Sequence, residues 1–406
     1  MRVEHRKNPM QPRRAGHRAG LAPVRALALS LSLALAAWCV PLHAQAPKGA
    51  AVTIGVTVSA TGPGASLGIP EKQAIGMLPA TLGGKPVRYV VLDDATDPSA
   101  ASRNARKLIE EDKVDAVVGS STTPACLAVA AVAAESRTPS IGLCPFVPKP
   151  EWLQWAFSLP QSVAVMSAAL FDDMRARQVK TLGFIGYSDS YGESWLKDVA
   201  QRAQAAGIRL VASERYARTD QAVTGQAVKL LAARPDAVLV AGSGTPAALP
   251  MRTLRERGYQ GPIYQTHGVA NNDFLRVGGK SADGVVLPAG ALLVAEQLPA
   301  AHPSKAVASD FVKRYEARYG AGSRDLFAGY AYDAYLVLER AVAAAGKSAQ
   351  PGTAEFRQAL RDAIEATADL PGSHGVITVS KSDHSAYDTR GRVLVKVQDG
   401  GWRLQP

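Results

Sequence analysis

The stretch VVGSSTTPACL, from Val117 to Leu127, indicates the fold class. It begins with an apolar, β-branched run typical of a buried strand, then passes through one glycine and four hydroxyl residues. It ends in a helix start at Thr123-Pro124, where threonine would cap the helix and proline would open its first turn. Because parallel sheets are built from buried strands followed by covering helices, the stretch predicts an α/β fold.

The same alternation continues outward from this stretch. From Ala51 short β-branched runs alternate with longer amphipathic stretches, which predicts parallel sheets with helices between the strands. After Leu287 the alternation stops, and helices at 303–319, 325–345 and 353–366 precede a strand-rich tail from Gly375 to Leu404. The predicted strands are Val52–Val58, Val87–Leu92, Asp115–Val118, Ser140–Leu143, Thr181–Tyr187, Arg209–Glu214, Ala237–Val240, Ile263–Gln265 and Val285–Leu287.

A proline- and tryptophan-rich segment, CPFVPKPEWLQWAFSLPQS from Cys144 to Ser162, interrupts the alternation and predicts a passage between two lobes. The late helices need an existing surface to pack on, so they are expected to return to the first lobe while the tail completes the second. The expected limits are 48–160 with 289–371 for lobe 1, and 161–288 with 372–406 for lobe 2.

The first 44 residues are expected to be a secretory signal peptide. A basic stretch, Arg2 to Arg25, precedes an apolar run, Ala26 to Val40, which at about fifteen residues is shorter than the roughly 18–20 needed to span a bilayer. Cleavage is expected after Ala44, with Ala46 as the alternative. The predicted location is therefore the periplasm, with no lipid anchor on Cys39, because bulky Trp38 precedes it.

The charge of the chain argues against nucleic-acid binding. The formal net charge is +11, but the predicted signal peptide carries seven basic residues and one acidic residue, so +5 remains afterwards. Such a small net positive charge without basic runs is not typical of a surface that binds nucleic acid. No metal or cofactor motif is present, so neither a metal nor a cofactor is expected.

Two cysteines remain after the predicted signal peptide. Cys126 falls in the first turn of a predicted helix and Cys144 just past the next strand, so both lie at one end of a βαβ unit. A disulfide is possible in an oxidising compartment, and two small buried thiols are the alternative.

Ser66 lies in Gly64-Ala65-Ser66-Leu67-Gly68, which fits the G-x-S-x-G pattern of hydrolases. A nucleophile elbow needs the serine at a strand end and an oxyanion donor after an earlier strand. The strand ends several residues earlier and is the first of the mature chain, so Ser66 is expected to be the N-cap of a helix through Met77. A secreted serine hydrolase is the less favoured alternative.

Several loops at predicted strand ends carry hydroxyls and glycines suited to a ligand. Residues 119–122 combine a glycine with hydroxyls at a helix start, which suits a carboxylate, although these hydroxyls could instead only cap the helix. In the second half Tyr191, the Gly244-Thr245 pair and His267 occupy similar positions. Tyr191 could instead pack within its own lobe, and His267 could be a satisfied loop histidine. Ligands of open parallel sheets bind beyond the carboxyl ends of strands, so a cleft is expected there.

Taken together, five segments resemble the leucine/isoleucine/valine-type periplasmic substrate-binding proteins of ABC transporters. The resemblance runs from about Val52 to Ala345 and implies a type I periplasmic-binding-protein fold, with two Rossmann-like lobes, a three-strand hinge and a ligand trapped by closure. It also implies a membrane permease partner, a monomer and no catalysis. The segments are VSATGPGASLG, VVLDDATDPSAA, KLIEEDKVDAVVGSSTTPA, YSDSYGESW and PDAVLVAGSGTPAALP.

The resemblance also implies which residues contact the ligand. Where relatives that bind amino acids hold the α-ammonium with an acidic residue, this chain has His267, and where a small hydroxyl residue is expected it has Phe146. A desolvated ammonium without a carboxylate partner is costly, which weighs against a free α-amino acid. The expected ligand is a small carboxylate, either an amino acid or an aromatic acid. A ligand-sensing domain that feeds a receptor is the alternative function. The implied contacts are Leu67, Gly119, Ser120, Ser121, Thr122, Cys144, Phe146, Tyr191, Gly244, Thr245 and His267.

Overall fold

The computed structural model describes residues 50–405, so the predicted signal peptide and Cys39 lie outside the described residues. A first, six-stranded sheet has the order β2-β3-β1-β4-β5-β6 and is parallel except for the β2–β3 pair. Its strands are β1 (Val52–Val58), β2 (Thr81–Leu82), β3 (Lys85–Asp93), β4 (Ala116–Gly119), β5 (Ser140–Gly142) and β6 (Ala156–Ser158), and its helices are α1 (Ala65–Ile75), α2 (Pro98–Glu110) and α3 (Thr123–Glu135).

A second sheet of seven strands begins after the interrupted segment. Its parallel part runs in the order β11-β10-β9-β7-β8, and two antiparallel strands of the tail extend it beyond β11. The strands are β7 (Thr181–Tyr187), β8 (Arg209–Tyr216), β9 (Ala237–Ala241), β10 (Ile263–Gln265) and β11 (Val286–Ala289), and the helices are α4 (Val163–Ala176), α5 (Ser190–Ala206), α6 (Thr224–Ala232), α7 (Ala248–Glu256) and α8 (Asn272–Gly278).

The last part of the chain returns to the first sheet and then to the second. α10 packs along α1, α11 packs on α10, and the hydroxyl of Tyr315 on α9 donates to Gln73 on α1. The chain next passes beside β6, where Ser385 bridges to Ser158, before it joins the second sheet. The elements are α9 (Lys305–Tyr319), α10 (Leu326–Ala345), α11 (Ala354–Glu365), β12 (Leu370–Pro371), β13 (Val376–Ile377), β14 (Val393–Gln398) and β15 (Gly401–Leu404).

The predicted α/β class with two sheet-bearing lobes is confirmed. The chain passes between the lobes three times, after β6, after β11 and after α11. The central strands are buried on both faces: every residue of β4, β7 and β9 is buried, as continuous apolar runs in parallel sheets require. The domain limits stay a prediction. In the part of the chain that the structure describes, no helix is long and apolar enough to cross a membrane.

Some local predictions were wrong. Ser66 is not the N-cap of α1; Gly64 takes that position and Ser66 lies inside the helix, because a 3-10 turn at Gly62–Gly64 leads directly into it. The N-cap of α3 is Thr122 rather than Thr123. Strand β6 lies within the segment taken as a passage between lobes, because Ala156 to Ser158 pair with β5 as an edge strand.

Candidate functional site

The carboxyl ends of the two sheets face a common cleft. Residues from both lobes enclose a narrow space between them. Six of the predicted ligand contacts line it, and Gly119, Ser120, Phe146, Gly244 and Thr245 do not. The lining residues are Leu67, Ser121, Thr122, Thr123, Leu143, Cys144, Pro145, Pro160, Tyr191, Arg218, Ser243, His267, Gly268, Phe327 and Tyr330.

The hydroxyls of Ser120 and Ser121 are bonded inside lobe 1. Ser120 Oγ donates to Asp94 Oδ2 at 2.7 Å, and Asp94 also accepts from Thr57 Oγ1 and Ser59 Oγ. Ser121 Oγ donates to Glu71 and accepts from Ser59 N at 2.9 Å. Both hydroxyls therefore help to fix the loop within lobe 1, and their role in holding a carboxylate stays a prediction.

Glu71 supports this loop from behind through its bond to Ser121. Its side chain is fully buried on α1, and burial raises the pKa of its carboxyl well above the usual value, although the bond from Ser121 opposes that shift. One carboxyl oxygen, Oε1, has no hydrogen-bond partner among the described residues. Burial therefore favours the protonated form of this carboxyl.

The donors that remain in lobe 1 belong to the start of α3. The hydroxyl of Thr122, the N-cap residue, makes no hydrogen bond to α3, and Thr122 lines the cleft. The first backbone N–H groups of a helix have no partner within it, and the helix dipole is positive at this end. Thr123 Oγ1 is directed away from the helix and donates to Pro145 O at 2.9 Å. Thr122 and the first amides of α3 can therefore receive a carboxylate.

In lobe 2 Tyr191 and His267 form one wall of the cleft. The Tyr191 hydroxyl donates to Thr266 Oγ1 at 2.8 Å, and Thr266 Oγ1 in turn donates to Gly242 O. Tyr191 thus lines the cleft while its hydroxyl is bonded within its own lobe, and its contact with a ligand stays a prediction. A ligand can use the ring as an apolar face and the hydroxyl oxygen only as an acceptor.

His267 is a neutral polar group at the same wall. Its side chain is 2% exposed, and burial lowers its pKa to about 4. Its Nδ1 atom has no hydrogen-bond partner among the described residues. An unpaired buried ring nitrogen is costly, so a ligand that bonds to it would recover that cost.

Arg218 was not predicted, yet its guanidinium also lines the cleft. Nε donates to Asp189 Oδ2 at 2.6 Å, Nη1 donates to Ser243 Oγ at 2.8 Å, and the guanidinium carbon lies 4.1 Å from the centre of the Tyr187 ring. The rule that ligands bind beyond strand ends could have found it, because Arg218 follows the carboxyl end of β8. The predicted strand ends at Glu214, whereas β8 ends at Tyr216, and the loop after β8 was not among the predicted contacts.

The two lobes touch directly beside the cleft. The backbone N–H of Thr245 in lobe 2 donates to Ser66 Oγ in lobe 1 at 3.2 Å. A Cβ atom built on Gly244 would lie 2.8 Å from Leu67 Cδ1, and Gly244 has a φ of +66°. Gly244 and Thr245 therefore lie at the contact between the lobes, and Ser66 takes part in that contact from within a helix.

Cys144 and Phe146 lie on different sides of the loop after β5. The structure joins Cys126 and Cys144 in a disulfide with Cα atoms 6.5 Å apart, and Cys144 lines the cleft. Phe146 instead faces a neighbouring pocket with Leu127 and Val163. Pro145 between them borders both spaces, so the loop turns Cys144 toward the cleft and Phe146 away from it.

Two aromatic residues of α10 complete the cleft from lobe 1. Phe327 and Tyr330 line it, and the Tyr330 hydroxyl donates to Gln161 Oε1 at 2.6 Å, at the first crossing between the sheets. Sequence reasoning missed both, because α10 follows no strand of the alternation. Its position depends on packing against α1, which is far away in sequence.

Comparison with known proteins agrees with this geometry. Residues 51–401 match the family described as "Periplasmic binding protein". Two solved structures, both extracellular ligand-binding receptors from Rhodopseudomonas palustris, are 45% and 44% identical and cover 88% of this chain and 100% of theirs, each with a TM-score of 0.87.

More distant relatives are also similar. An amino acid binding protein of Pseudomonas aeruginosa is 25% identical over 59% of this chain and 67% of its own length. A branched-chain amino acid transporter substrate binding protein from Streptococcus pneumoniae, in complex with isoleucine, is 20% identical over 88% of this chain and 98% of its own, and shares the fold with a TM-score of 0.73. These relatives are binding proteins rather than enzymes. With a family match over 51–401 and two lobes that meet around a cleft, the chain belongs to the periplasmic binding protein family.

Proposed function

We propose that this protein is the periplasmic substrate-binding protein of an ABC transporter, which captures a small organic carboxylate between its lobes and delivers it to a membrane permease. Membership of the periplasmic binding protein family supports binding without chemistry. The identity of the carboxylate and the permease partner belong to the proposal.

The observation that carries the proposal is the set of hydrogen-bond donors around the cleft. Thr122 and the first amides of α3 face it from lobe 1, and Arg218 and His267 face it from lobe 2. A carboxylate accepts hydrogen bonds and carries negative charge, so it complements a helix N-terminus and a guanidinium.

The remaining wall of the cleft suits an apolar body attached to that carboxylate. Leu67, Leu143 and Phe327 come from lobe 1, Tyr330 joins them on α10, and the Tyr191 ring closes the other side. Such a mixture of apolar walls and a few directed polar groups is typical of small-molecule sites. A branched aliphatic or an aromatic carboxylate therefore fits the lining.

Closure of the lobes around the ligand would signal to the permease that a ligand is bound. The ligand would contact donors of both lobes only when the lobes meet, as they do through Thr245 and Ser66. A ligand shifts such an equilibrium by its difference in affinity for the two states. The closed form would then be the form that a permease recognises.

A thermal-shift screen of residues 45–406 against small acids, sugars and amines tests the proposal. A carboxylate present at 100 times its Kd should stabilise the protein by about 2.7 kcal/mol and raise the melting temperature. Thr122→Val, which keeps the shape and removes the hydroxyl, should weaken that shift, while Thr219→Val in an exposed loop should not. Stabilisation by sugars or amines with no response to any carboxylate would refute the proposal.

Transport itself needs a second experiment. Deletion of the gene should reduce uptake of the radiolabelled acid identified in the screen, and re-expression of the wild-type protein should restore it. A deletion strain with normal uptake of that acid would contradict the transport part of the proposal and leave capture without delivery.

A further inference from the structure

The guanidinium of Arg218 is held in place by residues of its own lobe. Asp189 and Ser243 fix two of its nitrogens, and the Tyr187 ring lies against its face. The third nitrogen, Nη2, makes no hydrogen bond to any described residue, and the side chain is 12% exposed. A fixed guanidinium loses little conformational freedom when it binds an anion, so its hydrogen bond is strong.

The polar groups around the cleft offer donors but no negative charge. Among the described residues that line the cleft there is no aspartate or glutamate. Asp189 is occupied by Arg218 and by the backbone N–H groups of Tyr191 and Gly192. Glu71 lies behind Ser121 as a fully buried group. A ligand ammonium would therefore lie near the guanidinium of Arg218 and find no carboxylate free to pair with it among the described lining residues.

We infer that Arg218 is a specificity-determining residue and that it selects carboxylic acids without an α-ammonium group over the corresponding amino acids. The inference rests on the proposed function and adds the class of substrate. An α-ammonium lies one carbon from its carboxylate, so a carboxylate held by either set of donors brings the ammonium into the cleft. There it loses its water and gains no carboxylate partner.

Pairs of ligands that differ only in the amine test this inference on the wild-type protein. The pairs are 4-methylpentanoate with leucine and 3-phenylpropanoate with phenylalanine, measured by isothermal titration calorimetry on residues 45–406. In each pair that binds, the acid without the amine should bind at least about tenfold more tightly. An amino acid that binds as tightly as its partner, or more tightly, would overturn the inference and leave the proposed function intact.

Variants assign the preference to Arg218. Arg218→Gln keeps hydrogen-bonding capacity without charge and should weaken binding of the preferred acid by about 10- to 100-fold. Arg218→Lys keeps the charge without the planar fork and should weaken it less. Arg215→Gln is the matched control, because Arg215 on β8 pairs with Glu193 at the surface and does not line the cleft.

Failure of the role assigned to Arg218 and failure of the proposed function give different results. If Arg218→Gln folds with a normal circular dichroism spectrum and binds the acid like the wild type, Arg218 has no role in specificity. If that variant does not fold, Arg218→Lys and the ligand pairs decide. If no carboxylate binds the wild-type protein at all while a sugar or an amine does, the proposed function itself fails.

Discussion

In the proposed closure, the two lobes also meet outside the cleft lining, at Asn272 on α8. Its Nδ2 atom donates to Gly322 O at 2.6 Å and to Arg324 O at 3.3 Å, both in the loop between α9 and α10. α8 belongs to the second lobe, and α9 and α10 pack on α1 of the first. These hydrogen bonds therefore exist only when the lobes are together, and Asn272→Ala should destabilise the closed state.

The magnitude follows from the geometry. The contact is exposed, one bond is short and the other is long, so about 1 kcal/mol in total is expected. If the ligand binds the closed state, that loss raises Kd by about fivefold for every ligand, because 1.4 kcal/mol corresponds to tenfold. The ranking of ligands should not change, because Asn272 does not line the cleft.

The assay is stopped-flow and calorimetric measurement of Kd and the dissociation rate for the acid found in the screen. The dissociation rate should account for most of the change, because the contact holds a complex that has already formed. Arg276→Ala is the matched control, since Arg276 on the same helix bonds only to Asp273 within it. An unchanged Kd in Asn272→Ala, or an equal effect in the control, would refute the reasoning.

Three further predictions concern single groups. His267→Gln should remove a pH dependence: His267 is neutral in the fold with a pKa of about 4, so the unfolded chain, whose histidine has a pKa near 6.5, binds the extra proton first. The wild-type protein should therefore lose about 3 kcal/mol of stability at this site as pH falls from about 6.5 to about 4. Urea titrations across that window should show that the variant lacks this loss. Reduction of the disulfide between Cys126 and Cys144, which are 18 positions apart, should lower the free energy of unfolding by about 3 kcal/mol. A double serine variant whose stability still changes with dithiothreitol would contradict this. Gly244→Ala should weaken ligand binding by about 1–3 kcal/mol, because the new methyl group meets Leu67 across the cleft. An unchanged Kd in calorimetry would mean that the substitution strains only its own lobe and does not oppose closure.

The strands and helices of this protein could be predicted because their signals are local. Val52–Val58 and Ile263–Gln265 were predicted with the bounds that the structure has, since a buried parallel strand is a short apolar run between turn residues. The general position of the cleft also followed from the sequence. In parallel sheets the carboxyl ends of neighbouring strands share one edge, so loops such as 119–122 must come together there.

Which atoms of those loops are free to bind could only be decided by the tertiary structure. The hydroxyls of Ser120 and Ser121 are bonded to Asp94 and Glu71, which are 26 and 50 positions away. Hydrogen-bond partners so distant leave no trace in the local pattern, and a serine that fixes a loop has the same sequence as one that binds a ligand.

The sequence by itself thus determined two α/β lobes, the order of their elements and the sheet edge at which the cleft lies. The tertiary structure decided that Arg218 and Tyr330 enter the cleft and that Phe146 does not. The physical reason is that the fold class follows from hydrophobic periodicity along short segments, whereas the chemistry of the cleft depends on which distant side chains satisfy one another and which remain unpaired.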